Sequence, residues 1–159
     1  MTRRWCAWLA IASIACGAAP IEPAKFESAD RAARAIRREL QTPIDSGAAR
    51  IPALVERLQT EIAALKPRTR GRREAAVLAA YAAAAESYLY LLRFQRLDRE
   101  TVDGMLLLTG ANRPIASRYG LPMESRGGGR WVDRTAAMRT FAEKAATELD
   151  RAGELLTVR

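Results

Sequence analysis

The stretch "RREAAVLAAYAAAAESYLYLLRFQRL", residues 72–97, decides the fold. At 3.6 residues per turn, Val77, Tyr81, Ala84, Ala85, Tyr88 and Leu92 fall on one face, while Ala79, Ala82, Tyr90 and Leu97 occupy the reverse. A helix that is apolar all round belongs among other helices or inside a bilayer. Alanine is only weakly apolar, and Glu86 near the centre would cost roughly 2–3 kcal/mol on membrane-insertion scales. The stretch is therefore expected to be the central helix of a soluble bundle, its alanines allowing neighbours to approach closely.

Helical periodicity extends to both sides. Upstream, Ser28 or Asp30 is a candidate cap for a helix with Ala29, Ala33, Ile36 and Leu40 on one face and Arg31, Arg34, Arg37 and Arg38 on the other. Pro43 and Gly47 interrupt it. A second helix, entered at Pro52, carries the stripe Ile51, Leu54, Val55, Leu58, Ile62 and Leu65 and ends at Pro67. The connection "KPRTRGRR", residues 66–73, is strongly basic. It reads as a solvated loop, with a membrane-surface element as the rival, since each cation near an anionic leaflet contributes on the order of 1 kcal/mol.

Downstream, Asp98 is expected to cap a short helix over "RETVDGMLLLTG" that closes at Gly110, with Met105, Leu106, Leu107 and Leu108 lying under the next segment. Asn112 and Pro114 signal one more turn, "PIASRYG", ended by Gly120. The segment "LPMESRGGGRWVDR", residues 121–134, reads as the longest non-helical piece. Its three glycines, ringed by Arg126, Arg130 and Arg134 with Trp131 as a stacking surface, form a candidate anion- or partner-binding loop: Arg126, Gly127, Gly128, Gly129, Arg130 and Trp131. It is no phosphate-binding P-loop, for the lysine and Ser/Thr are missing. The plainer reading is a crossover that lets Trp131 anchor the last helix. That helix starts at Asp133 and runs to about Thr157, with Met138, Phe141, Ala145, Leu149, Ala152 and Leu156 in period.

These elements predict an all-α fold, an antiparallel bundle of four main helices plus one or two short ones. No 34-residue self-similarity supports a helical repeat. The expected division is a signal at 1–15, an extended leader or tether at 16–27 and a single bundle domain at 28–159.

The signal reading rests on "RRWCAWLAIASIACGAAP", residues 3–20. Arg3 and Arg4 precede an apolar run from Trp5 to Cys16, and small residues follow where a peptidase needs them. The run is too short for a permanent span, which needs about 20 apolar residues. Cleavage among Ala15–Ala19 with release of the chain is one outcome. The other comes from Ile14-Ala15-Cys16, which resembles the end of the lipobox of bacterial lipoproteins, although Ser13 departs from the leucine usual there. The resemblance covers the signal alone. It implies diacylation of Cys16, which becomes the new N-terminus, and, with Gly17 rather than Asp after it, sorting to the outer membrane in a Gram-negative cell.

Composition excludes much. With no histidine, Ser-His-Asp and Cys-His catalysis, the usual zinc sites and a haem axial histidine are ruled out. Cys6 and Cys16 are the two cysteines, so loss of the signal leaves no disulfide framework. The net charge of +8 includes Arg3 and Arg4, and only Lys25, Lys66 and Lys144 are lysines. Arginine's planar fork suits phosphate and carboxylate, though a GC-rich genome yields the same excess. Glu86, one turn before Tyr90, and Glu124 are the nominees for carboxylate catalysis; the preferred reading of Glu86 is a structural carboxylate.

No catalytic residue, metal ligand or cofactor is assigned. The expected function is that of an exported envelope protein, periplasmic or outer-membrane-associated, lipid-anchored or else secreted. It would act as a non-catalytic helical binding or assembly module for another envelope protein or an anionic envelope polymer, with no nucleic-acid role. The alternative is a periplasmic carboxylate-dependent hydrolase or lyase.

Overall fold

The computed structural model describes residues 21–41 and 50–157. The signal, Cys16 and the breaks at Pro43 and Gly47 lie outside the described residues. The fold is mostly helical, with helices α1 (Glu27–Gln41), α2 (Ile51–Leu65), α3 (Gly71–Arg96), α4 (Arg113–Arg118) and α5 (Arg134–Thr157). Four short strands interrupt them: β1 (Thr101–Val102), β2 (Met105–Leu107), β3 (Glu124–Arg126) and β4 (Gly129–Asp133).

α3 buries the face that carries Val77, Tyr81, Ala84, Ala85, Tyr88 and Leu92, whereas Ala79 and Ala82 on the reverse are exposed. Ten of its side chains are buried, Tyr81 and Tyr88 among them, with α2 on one side and α5 along its length. By length and composition alone α3 could cross a membrane, and half of its most apolar window is buried inside the protein. α3 and α5 run past each other in opposite directions, Phe94 near the end of α3 meeting Phe141 near the start of α5 at a ring separation of 4.9 Å. One apolar cluster joins Phe26, Ile36, Val55, Leu58, Tyr81 and Tyr88 at the end where the chain enters. A second joins Leu91, Phe94, Leu106, Val132 and Phe141 at the other end.

The sheet departs from the all-α expectation. Its order is β1-β2-β4-β3, antiparallel throughout. The span 98–110 is a 3-10 turn (Leu97–Glu100) followed by a hairpin, not a capped α-helix. Asp103 and Gly104 both take positive φ, +49° and +78°, the two-residue turn geometry that matches strand twist. The loop expected at 121–134 is likewise a hairpin turning at Gly127 and Gly128, φ +54° and +78°. In register, Leu106 faces Val132; both are buried against the helices. Side chains alternate across a strand, so the neighbouring pair Leu107 and Trp131 falls on the opposite face.

Helix boundaries also shift. α1 begins at Glu27 rather than after a cap at Ser28 or Asp30, because Pro23–Phe26 already forms a 3-10 turn. Phe26 is fully buried and stacks on Tyr81, so the span 16–27 expected as an extended leader includes a core residue. Asp133 does cap α5, its Oδ1 accepting from the Ala136 N–H at 2.8 Å. Asn112 precedes α4 but makes no side-chain capping bond, and its buried Oδ1 has no partner among the described residues.

Candidate functional site

The face of the sheet turned away from the helices carries a groove of about 480 Å³. Small-molecule and side-chain pockets fall in this size range. Met105, Leu107 and Trp131 form its floor, Val102 and Asp103 one rim, and Arg126 with the glycine turn the other. Val102 and Leu107 are among the few large apolar side chains left open, 59% and 39% exposed.

Each glycine of the triplet has its own cause. Gly127 and Gly128 supply the two positive-φ positions of the turn. Gly129 is required by close approach: a Cβ there would lie 2.6 Å from Leu107 Cδ1 and 3.2 Å from Trp131 Nε1. The missing side chain lets Leu107 and the indole lie against the strand. The Trp131 Nε1–H donates to the Arg126 carbonyl at 3.0 Å, which fixes the ring across the turn. The hairpin is therefore a built platform.

Of the sequence candidates, Arg126, Gly127, Gly128, Gly129 and Trp131 converge on the groove. Arg130 does not line it; it pairs with Ser125 one residue out of phase with Trp131, and its carbonyl accepts from the Leu108 N–H at 2.8 Å. Arg134 opens α5 and donates to the Gln95 carbonyl at 3.4 Å. The ring of arginines expected around the glycines is thus not formed. Arg126 itself is neutralised by Glu124, Nε and Nη2 lying 2.8 and 2.5 Å from Oε2. What remains is an apolar floor with the Arg126–Glu124 pair at one edge and Asp103 at the other. Val102, Asp103, Met105 and Leu107 were missed as groove residues, and the signal that could have found them is Asp-Gly flanked by apolar residues, a strong hairpin mark.

Glu86 and Glu124, the nominees for carboxylate catalysis, are both in ion pairs. Arg118 grips Glu86 in bidentate fashion, Nη1 to Oε1 at 2.6 Å and Nη2 to Oε2 at 2.8 Å, and the Tyr90 hydroxyl donates to Oε1 at 3.0 Å. Burial, with Glu86 as hydrogen-bond acceptor next, pushes the Tyr90 phenol above its ordinary range. Beside it the Ser87 and Tyr119 hydroxyls bond at 3.1 Å. Together these contacts pin α4 onto α3. Among the described residues, no three acidic or cysteine side chains gather as a metal site.

Comparison with protein-family models, with curated proteins and with solved structures finds no match to this chain.

Proposed function

We propose that this chain is an exported, lipid-anchored envelope protein that acts without catalysis, presenting a groove for an apolar segment of another envelope protein. The scaffold for that groove is an antiparallel bundle of four long helices capped by the sheet. The observation that carries the reading is the open apolar floor of exposed Leu107 and half-buried Trp131, beside exposed Val102, in a site whose cation is already paired with Glu124. An anionic polymer would compete with that carboxylate for Arg126, whereas an apolar side chain need only cover surface, at about 25 cal/mol per Å². Pinning of Glu86 by Arg118 disfavours the hydrolase or lyase reading.

Two measurements test the proposal. Intact mass of the protein from its own cell should show Cys16 carrying diacylglycerol and acyl mass, lost with Cys16→Ser; a chain starting at Ala18 or Ala19 without added mass refutes anchoring. A photo-crosslinker at Leu107 should trap a discrete protein adduct in living cells that vanishes with Val102→Asp and does not form from Arg57, on the exposed surface of α2. Absence of an adduct at Leu107, or equal trapping at Arg57, refutes the groove.

A further inference from the structure

The end of the molecule at which the chain enters carries a run of cations between α2 and α3. Between residues 66 and 73 stand five cations and no acid. Lys66, Arg68, Arg70 and Arg72 are exposed, and Lys66, Arg68 and Arg72 form no ion pair among the described residues. The arginines of α1 differ, since Arg31 is paired with Glu27, Arg34 with Asp30 and Arg37 with Asp150. The basic segment is held beside the entering chain by Lys25, whose Nζ donates to the Arg68 carbonyl and to Glu74 Oε2, the latter at 2.5 Å. Lys25 is mostly buried there, with 11% of its side chain exposed.

Position along the bundle gives this a direction. α3 starts at the basic segment and ends next to the sheet, and its 26 residues span about 39 Å at 1.5 Å per residue. Five peptide units separate Cys16 from Ile21, a reach of at most about 18 Å. A lipid on Cys16 would therefore keep residues 66–73 close to the headgroups and hold them there at high effective concentration. The groove would sit at the far end.

We propose that residues 66–73 form a second membrane contact, a loop that binds anionic lipid headgroups and stands the tethered domain on end with its groove directed away from the bilayer. This rests on the lipid-anchor reading for its orientation, while the contact itself is testable without any acyl chain. The probe is the chain from residue 16 with Cys16→Ser; both apolar clusters are built from residues after Ile21 and partly buried Ile21 itself. It is titrated with vesicles of equal parts phosphatidylglycerol and phosphatidylcholine, and with vesicles of phosphatidylcholine alone.

The expected result is binding to the anionic vesicles only, weakened by added salt. Arg68→Gln, Arg70→Gln and Arg72→Gln together should lower the partition coefficient about 100-fold, since each cation contributes on the order of 1 kcal/mol. Arg96→Gln, Arg113→Gln and Arg139→Gln together remove the same charge from exposed positions at the sheet end and should change it by no more than about 3-fold. Lys66→Gln alone should give about a 5-fold loss. Equal binding to both vesicles, equal loss in the two triple variants, displacement by inorganic phosphate, or tighter binding to a soluble anionic polysaccharide than to the vesicles would each overturn the proposal. Failure here leaves the Cys16 mass unaffected, and absence of acyl mass leaves the vesicle result readable, so the two readings fall separately.

Discussion

Replacing Phe141 by alanine tests whether helices and sheet are one cooperative unit. The ring is fully buried and meets Phe94 and Tyr119 edge-on at 4.9 Å each, and Tyr90 at 5.9 Å. These partners come from α3 and from the residue after α4, while Leu106 and Val132 of the sheet belong to the same cluster. Truncating a buried Phe costs about 3–5 kcal/mol. Three ring partners, each worth about 0.5–1.5 kcal/mol beyond area in such pairs, place this site at the upper end. A loss of about 4–5 kcal/mol is expected, or about 15 °C in Tm for a domain of this size. Phe141→Leu should cost on the order of 1–2 kcal/mol, since it keeps most of the apolar burial and forfeits the ring geometry. The assay is urea unfolding of the chain from residue 16, in which Trp131 is the single tryptophan, followed by far-ultraviolet circular dichroism for the helices and by Trp131 emission for the sheet. Both transitions should move together. A loss below about 1.5 kcal/mol, smaller than any typical core truncation, would refute the packing argument; a Trp131 transition that separates from the helical one would refute the single unit.

Three further outcomes follow from the same geometry. Gly129→Ala should push Leu107 outward and loosen the Trp131 bond to the Arg126 carbonyl, red-shifting Trp131 emission and costing about 1 kcal/mol; unchanged emission would show that the glycine is not needed for the groove. Burial raises the Tyr81 and Tyr88 phenols from 10.0 to about 12. Their folded-state values exceed the unfolded ones, so the stability they contribute is complete below pH 10 and is lost as pH rises towards 12; with the Tyr90 phenol also raised, ultraviolet titration should show three tyrosines lagging, and ordinary ionisation of all four would contradict the burial. The Arg70 backbone N–H, then Lys25, hold the Glu74 carboxyl below its ordinary 4.5. That contribution is present above pH 4.5 and lost as pH falls through the lower folded value. Urea midpoints across this range should retain part of the acid dependence in Lys25→Met and lose this component in Glu74→Gln; equal dependence in Glu74→Gln and the parent chain would remove the carboxylate from the account.

Four long helices and their buried faces were legible in the chain because helical periodicity is a short-range property: Val77, Tyr81, Ala84 and Tyr88 lie on one face whatever surrounds them, and all four are buried. The hairpins were partly legible. Asp103-Gly104 and Gly127-Gly128 are local turn signals, yet the contiguous run Met105–Leu108 has no period that distinguishes strand from helix. What settles it is the pairing of β2 with β4 across the intervening α4, a contact between distant residues that only the folded chain supplies. The same holds for charge. Arg118 and Glu86 are 32 positions apart, and Lys25 and Arg68 are 43 apart, so no spacing rule connects them. Residue type alone determined that the glycine loop was special and that residues 66–73 were basic. Tertiary structure decided that the first is an apolar groove with its arginine already paired, and that the second lies beside the entering chain, because electrostatic and packing partners are chosen by distance in space and not by distance along the sequence.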